Sequence, residues 1–388
     1  MLHYPEELVE TLGAIKENMG GDIRVVIAEK EKYHTVRDAL AEPARSHNIE
    51  IHLLSNYYPA GDEFEIVRSV MGVTIPPAEI PLSVGAVVSN VESIYNIGRA
   101  LDGAPVVDKF VTVIGEVEYP GTFIVPIGTP ADKVIALAGN ITIENARIIE
   151  GGPMMGIEID RNEPVKKTTS SFVVLPQEHS LFRKREMTVE FILRQAASAC
   201  TQCRQCTDLC PRYLLGHPLE PHKIMRAAAS PLSLPIDAMQ NALICSECGV
   251  CDSFACPMGL SPRRVNRYLK ERFATEGIRY PKESQNPDMR AERDYRKVNP
   301  EYLGARLGIA TYQNQYAPLR ENSVSPARVV LPLKQGLGAP SEPTVKAGTV
   351  VARGELVAKI PDGKLGANLH SPIDGVVVSV GEEIVIER

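Results

Sequence analysis

All eight cysteines of this chain fall in two runs within residues 200–256. The first run, Cys200, Cys203, Cys206 and Cys210, is spaced C-x2-C-x2-C-x3-C and is followed by Pro211. The second, Cys245, Cys248, Cys251 and Cys256, is spaced C-x2-C-x2-C-x4-C and is followed by Pro257, so it carries one extra residue before its last cysteine. Thiolates are soft ligands, and four together suit zinc or iron–sulfur. A zinc site draws one C-x2-C pair from each of two knuckles. Three cysteines at a two-residue rhythm instead wrap three corners of a cubane, and a more distant fourth, braced by proline, completes it. The pattern predicts two four-iron, four-sulfur (4Fe-4S) clusters, with zinc as the alternative.

In runs of this kind that serve two clusters, the fourth cysteine ligates the other cluster. The expected ligand sets are therefore Cys200, Cys203, Cys206 and Cys256 for one cluster, and Cys245, Cys248, Cys251 and Cys210 for the second. Crossing would lock the two runs together and bring the clusters close enough to pass electrons. The alternative is a pair of purely structural clusters.

These ligands need elements to hold them. Residues of about 186–290 read as a helical, ferredoxin-like domain, with Thr188–Ala199 leading into the first run and Ser261–Glu276 following the second. The latter is basic, with Arg263, Arg264, Arg267, Lys270 and Arg272. It reads as a solvated helix or as a docking face for an acidic donor such as a flavodoxin or ferredoxin. His217 and His222 lie between the runs and read as structural histidines, with cobalt ligation the alternative.

Upstream, residues 1–107 alternate helices with short apolar strands (Ile23–Ala28, Ile49–Leu54 and Ala86–Asn90), which predicts an α/β domain with a parallel sheet. Its second helix is expected over Lys30–Ala41, stopped by Pro43. Residues 108–176 read as a small β-rich module with one helix, similar to a β-grasp, containing the tight turn Gly151–Gly156. A polar stretch, about 280–325, reads as a linker with little core. Residues 326–388 are all β, and His370–Val377 resembles half of a biotinyl or lipoyl barrel-sandwich module. Lys364 lacks the neighbours of a carrier lysine, so the module is expected to be structural. The fold class is thus multidomain: α/β, β-grasp, helical two-cluster domain and C-terminal barrel-sandwich hybrid.

Composition fits that picture. Hydrophobic residues make up 44% and charged residues 23% of 388, which is ordinary for globular proteins. A net charge of −6 and the absence of tryptophan disfavour nucleic acid. No apolar run approaches a membrane span. Thiols that must stay reduced point to the cytoplasm.

With these residues in place, the chain resembles the C subunit of the Rnf electron-transport complex and, more distantly, the flavoprotein subunit of respiratory complex I. The motifs are Tyr58–Glu63 (YPAGDE), Ser89–Ser93 (SNVES), Gly151–Gly156 (GGPMMG) and the paired cysteine runs. A barrel-sandwich module at the C-terminal end and the x4 spacing of the second run are similar to the cobalamin reductases of propanediol-utilisation microcompartments. That resemblance implies an iron–sulfur flavoenzyme that takes electrons from NADH through FMN and reduces the cobalt of cobalamin. A cobalamin adenosyltransferase and microcompartment proteins would be its partners, within or on a microcompartment. It also implies flavin contact at Gly61, Asp62, Glu63, Asn90 and Glu92; catalytic residues are not implied. The family's opening segments, Gly-x-Gly-Gly-Ala-Gly-Phe-Pro and Asn-x-x-Glu-x-Glu-Pro, do not occur in this sequence. The expectation is a shortened chain or a lost site, which would bind little FMN and leave an electron-transfer adaptor fed by a separate flavoprotein.

Overall fold

The computed structural model describes residues 1–229, 236–282, 285–321 and 324–388. The chain divides into two units, one made of Met1–Tyr95 with Arg183–Ala310, the other of Asn96–Phe182 with Thr311–Arg388.

In the first unit, strands Val26–Lys30 and Glu50–Leu54 pair in parallel, Val26 opposite Glu50. Helices Pro5–Met19 and His34–Ser46 pack beside them, and Val9, Ile27, Leu40, Ala44 and Ile49 form their shared core. Two expectations are corrected here. Pro43 lies inside the second helix rather than past its end. The residue before a proline loses α-helical freedom and the proline gives up one hydrogen bond, but Leu40 and Ala44 are buried on the same face and hold the last turn down. Ala86–Asn90 forms no strand, and Val87 is exposed. Its apolar run pairs with neither strand of the two-stranded sheet, and a strand without ladder partners gains nothing.

The same unit contains the cysteine runs. Thr188 caps helix Val189–Ala199 through its hydroxyl, which accepts from the Phe191 amide at 3.2 Å. Helices Pro221–Ala229 and Pro262–Thr275 pack on it, with Ile192, Ala196, Leu219, Ile224, Val265, Leu269 and Phe273 as the core. The stretch read as a linker is largely part of this unit, although residues 283, 284, 322 and 323 lie outside the described residues. Leu303 and Leu307 of helix Pro300–Leu307 are buried. Arg293 is buried against Glu65 and the Tyr57 hydroxyl. The polar composition misled because a buried charge satisfied by a partner reads in sequence like a solvated one.

In the second unit, a five-stranded sheet runs in the order Gly121–Pro126, Asp108–Gly115, Ser171–Pro176, Ala146–Glu150, Ile157–Ile159. Only Asp108–Gly115 with Ser171–Pro176 is parallel. Helix Ala131–Ala136 covers one face over Val111, Val113, Phe123 and Phe172. At Gly156 a Cβ would lie 2.3 Å from the Glu150 carbonyl oxygen, so the turn at the end of GGPMMG admits no side chain there. Residues 328–387 form a four-stranded and a three-stranded sheet closed over Val329, Leu331, Val357, Ile373, Val377 and Ile384, a barrel-sandwich hybrid.

Candidate functional site

The two cysteine runs take up the same local conformation. In the first, Gln202 (φ 56°) and Arg204 (φ 67°) are left-handed. In the second, Glu247 (φ 57°) and Gly249 (φ 82°) occupy the corresponding run positions and are left-handed too. A non-glycine residue pays about 1–2 kcal/mol for that geometry. Left-handed residues at matching places give the two loops the same tight curl. Backbone and side-chain donors point at the thiols: the Glu247 amide at Cys245 Sγ, 3.3 Å, and Gln202 Nε2 at Cys200 Sγ, 3.2 Å.

The runs differ where their spacing differs. Around Cys206 the chain makes a short α-turn, Gln205–Asp208. After Cys251 it makes a π-helix, Cys251–Ala255. A π-turn has one more residue per hydrogen-bonded loop than an α-turn. The extra residue of the x4 spacing is absorbed there, and both last cysteines still lead into a proline turn.

Two cavities result. One is lined by Cys210, Cys245, Cys248 and Cys251, together with Leu219, Arg263 and Asn266. The other is lined by Cys200, Cys203, Cys206 and Cys256, together with His222, Met225 and Met258. Each cavity thus holds three cysteines of one run and the last cysteine of the other. The inner cavity is the more enclosed, since Cys210, Cys248 and Cys251 are buried and Cys245 is half-buried; the outer one opens at the exposed Cys203.

The donor set fits an iron–sulfur cubane. Burial pushes the Cys206 thiol up to about 12, and the neighbouring Cys256, Cys200 and Cys203 charges add to it. Burial likewise pushes Cys248 up to about 11 and raises Cys210 and Cys251. Thiols raised in this way ionise readily only beside a strongly cationic group. Among the described residues no three Cys, His, Asp or Glu side chains converge closely enough to hold a single metal ion. A group with one metal at each corner suits that spacing better than zinc does.

The inner cavity is braced by the α/β half of its own unit. The Tyr58 hydroxyl donates to the Cys248 carbonyl oxygen at 2.7 Å, and Tyr58 also bridges to Val298. Arg212, two residues after Cys210, forms a two-pronged pair with Asp62 at 2.6 and 3.2 Å. Its guanidinium lies 3.6 Å from the centre of the Phe64 ring, and Phe64 meets His217 edge-on at 5.6 Å.

The residues expected to face flavin sit at two helix starts. Asp62 caps helix Glu63–Met71, accepting from the Phe64 amide at 3.0 Å. Asn90 accepts from the Glu92 amide at 2.9 Å at the start of helix Val91–Leu101. Gly61 has open space where a Cβ would stand. His217 is buried, and its Nε2 lies 2.9 Å from the Ile75 carbonyl. His222 Nδ1 lies 2.7 Å from the Thr207 hydroxyl, on the wall of the outer cavity. The basic helix spends its charges inward or along itself. Arg263 reaches Asp252 at 3.5 Å, Lys270 reaches Glu247 at 3.0 Å and the Cys245 carbonyl at 2.5 Å, and Arg267 and Arg272 pair with Glu271 and Glu276.

Sequence reasoning passed over Tyr58 as a brace, and over Arg212 and Asn266. Only Asn266 left a signal, as a polar residue on the apolar stripe Val265, Leu269, Phe273.

Comparison with known proteins places each module. Residues 199–261 match the 4Fe-4S dicluster domain, 1–99 the Nuo51 FMN-binding domain, 110–158 the SLBB domain and 309–388 the RnfC barrel sandwich hybrid domain. The chain is 42% identical over 362 residues to a cobalamin reductase PduS of Salmonella typhimurium, covering 93% of this chain and 79% of that protein. It is 41% identical to the protein of the same name from Citrobacter freundii over the same shares. It is 29% identical to the C subunit of an ion-translocating oxidoreductase complex of Edwardsiella ictaluri, over 50% of this chain and 24% of that one.

Proposed function

This chain belongs to the cobalamin reductase family, and on that premise we propose that it carries electrons from NADH to the cobalt of cobalamin. The observation that carries the proposal is the pair of crossed cysteine cavities beside a domain of FMN-binding type. We assign Cys210, Cys245, Cys248 and Cys251 to one 4Fe-4S cluster and Cys200, Cys203, Cys206 and Cys256 to the other. Gly61, Asp62, Glu63, Asn90 and Glu92 are assigned to the flavin side, supported by two capped helix starts and the open space at Gly61. The modules are taken as 1–107, 108–176, 186–290 and 326–388.

When bound, FMN and the clusters supply the conversion of a two-electron hydride into single electrons. The balance is simple: one NADH leaves NAD+ and a proton, and its two electrons reduce one cob(III)alamin to cob(I)alamin or two cob(II)alamins by one electron each. The protein's own part is to enclose the inner thiols, hold Cys248 and the Cys210 turn through Tyr58 and Arg212, and leave the outer site open at Cys203. An acceptor approaches most readily at that edge. Among the described residues no helix is long and apolar enough to cross a membrane. Placement in the cytoplasm, within or on a microcompartment, and contact with an adenosyltransferase or shell proteins belong to this proposal.

The test is anaerobic turnover by protein reconstituted with iron, sulfide and FMN. NADH should reduce cob(II)alamin, and leaving out FMN should stop it. Clusters that accept electrons from dithionite but never from NADH would instead mark an adaptor fed by a separate flavoprotein or ferredoxin.

A further inference from the structure

Asn266 lies on helix Pro262–Thr275, which faces both cysteine cavities: Pro262 lines the outer one, and Arg263 and Asn266 line the inner one. Asn266 is 0% exposed, and neither its Nδ2 nor its Oδ1 has a hydrogen-bond partner. Its neighbours on that face are Val265, Leu269 and Phe273, all buried. A buried carboxamide left unpaired carries its full desolvation cost, so a leucine would serve packing better. Buried polar groups without partners are uncommon and call for an explanation, a bound group or ion among them. The side chain borders a cavity whose other walls include four thiols.

We propose that Asn266 Nδ2 donates an N–H···S hydrogen bond to the cluster held by Cys210, Cys245, Cys248 and Cys251 and raises its reduction potential. Sulfide and thiolate sulfurs accept hydrogen bonds, and the amide nitrogen is the donor end of this side chain. A donor aimed at sulfur stabilises the more negative, reduced state, and hydrogen bonds to sulfur are among the protein's levers on cluster potential. The outer cavity has its own donor of the same type, since Gln202 Nε2 already reaches Cys200 Sγ at 3.2 Å. Each site would thus have one side-chain amide, but from a different element: the loop itself for the outer site and a packed helix for the inner. This inference rests on the crossed ligand assignment above.

The test is a redox titration followed by electron paramagnetic resonance on full-length reconstituted protein, wild type against Asn266→Leu. The two signals are assigned beforehand with Cys248→Ser and Cys203→Ser. Asn266→Leu should keep its iron while the inner cluster's midpoint falls and the outer cluster's stays. Unchanged midpoints, or an equal shift in both, would overturn the proposal. If the leucine variant loses its inner cluster, wild-type protein labelled with 15N only at asparagine side-chain amides decides: a 15N hyperfine coupling on the inner signal supports the bond, and its absence removes it. Wild-type protein that loads only the outer cluster would sink the ligand assignment, and this proposal with it.

Discussion

Tyr58 and Cys248, 190 residues apart, are joined by a hydrogen bond from the tyrosine hydroxyl to the cysteine carbonyl oxygen at 2.7 Å. It ties the YPAGDE loop of the α/β domain to the middle of the second cysteine run. Removing the hydroxyl leaves the ring in place and strands a buried acceptor. Tyr58→Phe should therefore destabilise the reconstituted protein by about 1–2 kcal/mol, read from urea denaturation. It should also disturb the spectrum of the inner cluster while leaving the outer one as in wild type. An equal effect on both clusters would show that the bond braces the unit generally.

The crossed ligation proposed above has a direct consequence for iron content. Cys210 shares a cavity with Cys245, Cys248 and Cys251, whereas Cys203 does not. Cys210→Ala and Cys203→Ala should each fall from about eight irons to about four, and the resonance lost should differ between them. Loss of the same resonance in both would mean that each run closes on its own cluster.

The Asp62–Arg212 pair is nearly buried, with side chains 16% and 9% exposed. Asp62→Asn keeps a cap for the Phe64 amide but leaves the Arg212 charge unmatched. Such a loss costs about 3 kcal/mol. Denaturation of Asp62→Asn with Arg212→Met as a double-mutant cycle should return a coupling of that sign, and additive effects would show that the pair does not matter.

At Gly61 the space beside the helix start is open. If flavin enters there, Gly61→Val should purify and load its clusters normally yet retain FMN poorly. Wild-type FMN content in that variant would move the flavin away from this loop.

Burial holds the His217 imidazole down to about 4, with the Arg212 charge adding to the effect and the bond to the Ile75 carbonyl opposing it. An unfolded histidine titrates near 6.5. As pH falls below about 6.5 the unfolded chain takes up a proton that the folded chain refuses, so stability is lost progressively down to about pH 4. His217→Gln should flatten that part of the stability–pH curve. A curve as steep as wild type would place the acid sensitivity elsewhere.

The 4Fe-4S dicluster domain and the cysteines proposed as its ligands were legible because iron–sulfur chemistry needs contiguous cysteines at short spacings, and spacing is a property of sequence. The GGPMMG turn was legible for a related reason: Gly156 has no room for a Cβ, and such constraints fix residue type locally. The crossed grouping was expected from what runs of this kind do around two clusters, and the cysteines line the two cavities in that grouping. What sequence could not show was anything that depends on residues far apart in the chain. Ala86–Asn90 has the composition of a strand but pairs with none, and pairing is decided by partners. Arg293 reads as linker and is core, because Glu65, more than two hundred residues earlier, neutralises it and the Tyr57 hydroxyl accepts one of its hydrogen bonds. Asn266 reads as one polar residue in a basic helix. Only packing puts its unpaired amide on the wall of the inner cysteine cavity, because burial and hydrogen-bond satisfaction are properties of the folded chain.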